Sequence, residues 1–148
     1  MSHVCAISLE IRDLDALKLA CQQLGLEFRE GQRTWKWFNR FVNDYHGSDA
    51  AYKHGLKPEQ YGHSEHAIGL KDCQYEIGVI RTADGKGYSL AFDFWGPGRS
   101  IRDKLGAGCE KLKQRYGANV ASKSLRAKGY RVKETISQDG AIVLRGVR

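Results

Sequence analysis

From Cys73 to Gly98 apolar and polar residues alternate in two runs, CQYEIGVIRT and GYSLAFDFWGPG, separated by a short polar turn. Alternation with period two on both sides of a Gly-containing turn is the pattern of a β-hairpin. With Asp84-Gly85 as the centre of a type I′ turn, the register follows. Tyr75 then faces Phe94, Ile77 faces Phe92, Val79 faces Leu90 and Arg81 faces Tyr88, an almost wholly apolar face that belongs in a core. The opposite face pairs Glu76 with Asp93, Gly78 with Ala91 and Ile80 with Ser89. It is a shallow patch of small residues with two carboxylates at one end.

The remaining elements follow in chain order. Val4 to Ile11 alternates as a strand, with Cys5, Ile7, Leu9 and Ile11 on one side. Asp13 is placed to cap a helix carrying Leu14, Leu17, Cys21 and Leu24, and Gly25 stands where a C′ glycine ends one. Leu26 to Glu30 returns as a strand with Leu26 and Phe28 inward. Thr34 to Tyr45 interleaves Trp35, Trp37, Phe38 and Phe41 with Lys36 and Arg40, a strand turning into a helical segment. From His46 to Asp72 periodicity fades, and a long loop or lid holding His46, His54, His63 and His66 is expected.

After Gly96-Pro97-Gly98 a long helix over 99–128 is predicted. Ile101, Leu105, Cys109, Leu112, Tyr116 and Val120 form its apolar stripe, and Lys104, Lys111, Arg115 and Arg126 form a basic one beside it. Gly106, Gly108 and Gly117 weaken it locally. Tyr130 to Val147 reads as a closing hairpin around Asp139-Gly140. The plan of residues 16–30, helix then Gly then strand, is echoed in 121–134. Together these elements predict one α+β domain over residues 1–148. Its mostly antiparallel single-layer sheet carries two helices on one face, a ferredoxin-like variant with a central hairpin and a long His-rich loop at 46–72.

A chain of 148 residues that is 41% hydrophobic builds a core without disulfides or metals. No apolar run approaches bilayer-spanning length and Met1-Ser2-His3 begins no signal peptide, so a cytoplasmic protein is expected. Cys5, Cys21, Cys73 and Cys109 contain no C-x-x-C pair and read as reduced, buried thiols. Charge changes the picture more. Residues 1–98 carry a net −2 and residues 99–148 a net +9, so the entire basic excess lies in the last third. That asymmetry points to an anionic partner, or to a solvated helix face.

Three constellations could carry chemistry. Glu76 opposite Asp93 calls for neutralisation by a divalent cation, by an arginine such as Arg99 or Arg102, or by a shared proton. His63-Ser64-Glu65-His66 has spacing compatible with a transition metal, but the P-C-x-x-C of zinc deaminases and the H-E-x-x-H of zincins are missing. Trp35 and Trp37 with their basic neighbours have the composition of a base-stacking platform, or of core. No G-x-S-x-G elbow or Walker spacing is present, so classical hydrolase and P-loop chemistry have no support.

Met1-Ser2-His3, Ile11-Arg12-Asp13, the Leu-rich helix to Gly25, and the closing run with Leu112 to Tyr116 and Gly129-Tyr130 carry a resemblance over most of the chain. The sequence resembles a family of conserved chloroplast and cyanobacterial open reading frames of unknown function, and its middle is most similar to the bacteriophage-encoded relatives. Its Trp-rich segment and the stretch from His46 to Gly62 depart from the plastid pattern. The resemblance brings no activity and no catalytic residue; it implies a small viral protein acting in the host cytoplasm, on a host process or defence.

The residues together lead to the expectation of a non-enzymatic binding protein for an anionic ligand: a nucleotide, a nucleotide signal or a nucleic acid. Lys104, Lys111, Arg115 and Arg126 would attract phosphate, Trp35, Trp37 or Trp95 would stack on a base, and His63 and His66 would close over it. No cofactor is required by that reading. One alternative is a metal-dependent hydrolase of a nucleotide or phosphodiester, with Glu76, Asp93, His63 and His66 around a divalent ion. Another is a protein–protein interaction module that takes a host protein through the Trp-Phe segment. No membrane partner is expected, and an uncovered sheet face or edge would favour a homodimer.

Overall fold

The computed structural model describes residues 4–37, 63–93 and 96–148. Their elements are β1 (Val4–Ile11), α1 (Leu14–Gln23), β2 (Glu27–Arg29), β3 (His66–Gly69), β4 (Ile77–Arg81), β5 (Tyr88–Asp93), a 3₁₀ turn (Gly96–Gly98), α2 (Arg99–Leu105), α3 (Glu110–Ala127), β6 (Arg131–Ile136) and β7 (Ile142–Val147). The architecture is α+β. Five strands form an antiparallel sheet in the order β1-β5-β4-β3-β2, and β6 and β7 form a separate two-stranded ribbon. The ferredoxin-like plan is not what this order gives. A split β-α-β places its parallel strands near one another, whereas β1 and β2 stand at opposite edges with three strands between them.

The central hairpin takes the register that alternation predicts, from Ile77 opposite Phe92 to Arg81 opposite Tyr88. Its turn differs. A type I′ turn needs positive φ at both central residues, and here Gly85 has φ 71° while Asp84 keeps a negative φ. The Asp84 carboxylate instead accepts from the Thr82 hydroxyl at 2.6 Å and the Lys86 N–H at 3.0 Å, inside a wider loop closed by Thr82 and Gly87. The C-terminal ribbon repeats the device. Asp139 accepts from the Ser137 hydroxyl and from the Ala141 N–H, and the flanking pair is Ile136 opposite Ile142.

Both helix-Gly-strand units end alike. Leu26 N–H bonds to the Cys21 carbonyl at 2.8 Å and Gly25 N–H to that of Gln22, with Gly25 at φ 71°. Tyr130 N–H bonds to the Leu125 carbonyl at 3.1 Å and Gly129 N–H to that of Arg126, with Gly129 at φ 89°. These are Schellman closures, whose left-handed residue glycine adopts without a Cβ clash. At the other end of α1, Asp13 caps the helix by accepting from Ala16 N–H at 3.0 Å.

Two expected elements are corrected. The helix over 99–128 is two helices, because Gly106 leaves α2 at φ 95° and Cys109 enters α3 from the left-handed region at φ 55°. The loop over 46–72 contains β3, a four-residue strand seated between β2 and β4; residues 46–62 lie outside the described residues.

Apolar side chains pack on both sides of the sheet. On one face Ile68, Ile77, Val79, Leu90 and Phe92 meet Leu17 and Cys21 of α1, Ile101 and Leu105 of α2, and Leu112 and Tyr116 of α3. The Tyr116 hydroxyl accepts from the N–H groups of Arg12 and Asp13, at 3.1 and 3.2 Å, and so fastens α3 to the joint between β1 and α1. Burial pushes the Cys21 thiol up to about 12, which leaves it a protonated packing residue. On the other face Trp35 and Trp37 pack on Ala67, Ile80 and Ala91. The small residues of the expected patch are thus the floor of a second core. A Cβ on Gly78 would lie 2.6 Å from the Trp35 ring.

Candidate functional site

Glu76 and Asp93 both lie on the tryptophan face and are almost wholly buried, at 1% and 0% exposure. The β4–β5 ladder stops at Ile77, and the Glu76 N–H bonds instead to the Lys36 carbonyl at 2.9 Å. The Glu76 carboxylate accepts from Arg29 Nη1 at 2.5 Å, Gln32 Nε2 at 2.8 Å and Lys36 N–H at 2.9 Å. Its neutralising cation is therefore an arginine, but Arg29 of β2 rather than Arg99 or Arg102; Arg102 lies 3.8 Å from Asp103. Gly69 permits the reach, since a Cβ there would stand 2.3 Å from the guanidinium carbon of Arg29. This carboxylate holds residues 32–36, and hence both tryptophans, against the sheet.

The histidines are placed differently. His63 is exposed, and its backbone forms a single bridge with Thr34. His66 stands opposite Val79 on the helix-side face, away from Glu76. Its ring lies 5.4 Å from that of Phe28 and 5.6 Å from that of Tyr88, and Nδ1 accepts from Gly31 N–H at 2.9 Å. Burial lowers its pKa and favours the neutral ring. The expected quartet of Glu76, Asp93, His63 and His66 is thus divided between the two faces of the sheet. Among the described residues no three His, Cys, Asp or Glu side chains come together as a metal would need. Trp35 and Trp37, at 1% and 0% exposure, have their rings inside the second core, and Trp95 lies outside the described residues.

The break between α2 and α3 also divides the expected basic stripe. Lys104, on α2, extends its Nζ to within 3.6 Å of the Cβ position of Gly25, at the carbonyl end of α1, where a cation is favoured. Lys111, Arg115 and Arg126 remain on α3. Lys111 is exposed; Arg115 is largely covered by the ribbon and pairs with Glu134 of β6. Its buried Nε–H has no acceptor among the described residues. Arg126 and Arg115 line a cleft of about 340 Å³ between α1, α3 and the ribbon. At its rim Lys123 bonds Asp13 at 2.9 Å, which lowers the Asp13 pKa and raises that of Lys123.

Sequence reading passed over the outer face of the ribbon. Alternation puts Val132, Glu134, Ile142 and Leu144 toward α3, and Arg131, Lys133, Thr135, Val143, Arg145 and Val147 outward. Lys133 stands directly across the ladder from Arg145, with Arg131 two residues along the same face, and the face holds no carboxylate. Like charges in that position are destabilising. Among the described residues Arg126, Lys128, Arg131, Lys133 and Arg145 make no ion pair. The signal was present as the alternating charge of RVKE, with every acid on the inner parity.

No protein-family model, curated protein or solved structure matches the chain.

Proposed function

We propose that the protein is a non-enzymatic binder of nucleic acid, and that the outer face of the β6–β7 ribbon meets the phosphate backbone. The observation that carries this reading is the unpaired cluster of Arg131, Lys133 and Arg145 on one exposed ribbon face, with Lys133 and Arg145 held directly opposite each other. A two-stranded ribbon of this width fits a nucleic-acid groove. Phosphates placed between the two facing cations would relieve their repulsion and release counterions. The face holds no Asn or Gln for bidentate recognition of adenine, and the proposed contact is made chiefly to phosphates.

The test is fluorescence anisotropy with a labelled duplex and a labelled single strand, titrated across a salt series. Binding is expected to weaken steeply with salt. Replacing Arg131, Lys133 and Arg145 together by Gln is expected to flatten the log–log slope by about three, one phosphate contact for each residue. A triple variant that binds with unchanged slope, or a wild-type protein that binds neither probe, overturns the reading.

A further inference from the structure

The inner side of the same ribbon faces a different kind of space. The cleft of about 340 Å³ between α1, α3 and the ribbon has an apolar side, Leu19, Val132 and Leu144, and a polar side that includes Arg115, Asn119 and Arg126 as well as the carboxylates of Asp15 and Glu134. Leu19 is 44% exposed on α1, a helix whose other leucines face the core. Asn119 spends its amide hydrogens within the protein, donating to the Ala16 carbonyl at 3.2 Å and to Gln23 Oε1 at 2.9 Å. Its Oδ1 receives no donor among the described residues. Arg115 gives its terminal nitrogen to Glu134, but its buried Nε–H has no acceptor among the described residues. Arg126 makes no ion pair among the described residues.

From this we infer a second site, for a nucleoside monophosphate. The volume lies in the range of small-ligand pockets, about 300–1,000 Å³. An apolar wall takes the flat face of a base. Asn119 Oδ1 is an acceptor for an exocyclic amine or a ring N–H. A phosphate at Arg126, which makes no ion pair among the described residues, would gain charge-assisted contacts, which are strong. The site shares no side chain with the outer face, so neither proposal depends on the other.

The test is NMR titration of the full chain with AMP and, separately, UMP. The reporters are the methyl groups of Leu19, Val132 and Leu144 and the Nε–H of Arg115. At least one nucleotide is expected to shift all four with a Kd below about 1 mM, while adenosine and inorganic phosphate bind at least about tenfold more weakly. Arg126→Glu is expected to weaken binding by about tenfold or more, and Arg126→Lys to restore most of it. Arg126 is exposed, so these variants fold. Absence of shifts with both nucleotides up to about 5 mM overturns the site. So does an Arg126→Glu variant with unchanged affinity, or a response confined to Lys133 and Arg145, which would assign the phosphate to the outer face.

Discussion

The β4–β5 and β6–β7 hairpins share one Asp-Gly turn chemistry and come to opposite ends. Thr82-Ala83-Asp84-Gly85 and Ser137-Gln138-Asp139-Gly140 each close by a hydroxyl and a backbone N–H donating to one aspartate, with the following glycine at positive φ. The β4–β5 hairpin is then covered on both faces, by helices on one side and tryptophans on the other. The β6–β7 ribbon is covered on one face only, and its other face is cationic. Turn chemistry decides that a hairpin forms and in what register. What the alternate positions carry decides its use: Gly78, Ala91 and Ala67 make room for an indole, whereas Arg131, Lys133 and Arg145 keep neighbours away.

The sharpest way to break this contrast is at the buried carboxylate. Glu76→Gln removes the buried one of the two carboxylates that Arg29 bonds, leaving Glu27, and loosens residues 32–36; it is expected to cost about 2–3 kcal/mol. The matching change on the ribbon, Glu134→Gln, removes a partly exposed pair and is expected to cost less than about 1 kcal/mol. Urea unfolding of both variants decides it; equal losses would mean that Glu76 does not latch the tryptophan segment. Next in size are the glycines. Gly78→Ala drives a methyl into the Trp35 ring and is expected to destabilise by about 1–3 kcal/mol. Gly146→Ala meets Tyr130 no closer than 3.2 Å, against 2.6 Å at Gly78, and is expected to cost less, about 0.5 kcal/mol. Melting temperatures that fall alike would show that the ribbon is as tightly packed as the sheet.

The smallest effect is in pH. Asp84 and Asp139 both titrate below the ordinary value of 3.8, chiefly because a neighbouring hydroxyl, and then a backbone N–H, favours the carboxylate. A depressed folded-state pKa gives stability that is present above the unfolded value and is lost as pH falls through the folded one. Acidification below pH about 4 is therefore expected to release both turns, but only the two-stranded ribbon should fray, since such hairpins are marginal alone. The amide shifts of Lys86 and Ala141, followed from pH 6 to 3, report each turn. Simultaneous loss of both hairpins would erase the distinction.

Much of this fold was legible because several independent signals agreed. At the central hairpin, alternation and turn position specify the same register, and a one-residue slip would have sent Ile77, Val79, Leu90 and Phe92 to the wrong face. Asp13, Gly25 and Gly129 mark helix ends through local hydrogen bonds that need no tertiary context. The break between α2 and α3 was hidden for a geometric reason. Its linker, residues 106–109, is about one helical turn long, so the stripe from Ile101 to Val120 keeps its phase across the gap. The strand β3 is four residues long, HAIG, too short for alternation to register. At the site, sequence showed where the positive charge lies but not which cations are already engaged. Lys104 lies by the end of α1 and Arg115 pairs with Glu134, while Arg131, Lys133 and Arg145 of the closing hairpin, outside the predicted basic stripe, make no ion pair among the described residues. Nor could it show that Arg29, from a strand at the sheet edge, reaches Glu76.

The order β1-β5-β4-β3-β2 bears on how the chain acquires its shape during synthesis. Because β1 pairs with β5, with Val4 against Asp93, β1 has no sheet partner until β5, far along the sequence from it, has been made. The antiparallel run β3-β4-β5 can assemble from near neighbours as it emerges, and β1 must then be recruited over a long sequence separation, the slow class of contact. Until that moment the edge of β5 is an open template for any passing strand, a second nascent copy included. The N-terminal strand therefore acts as the final lock of the sheet rather than its seed.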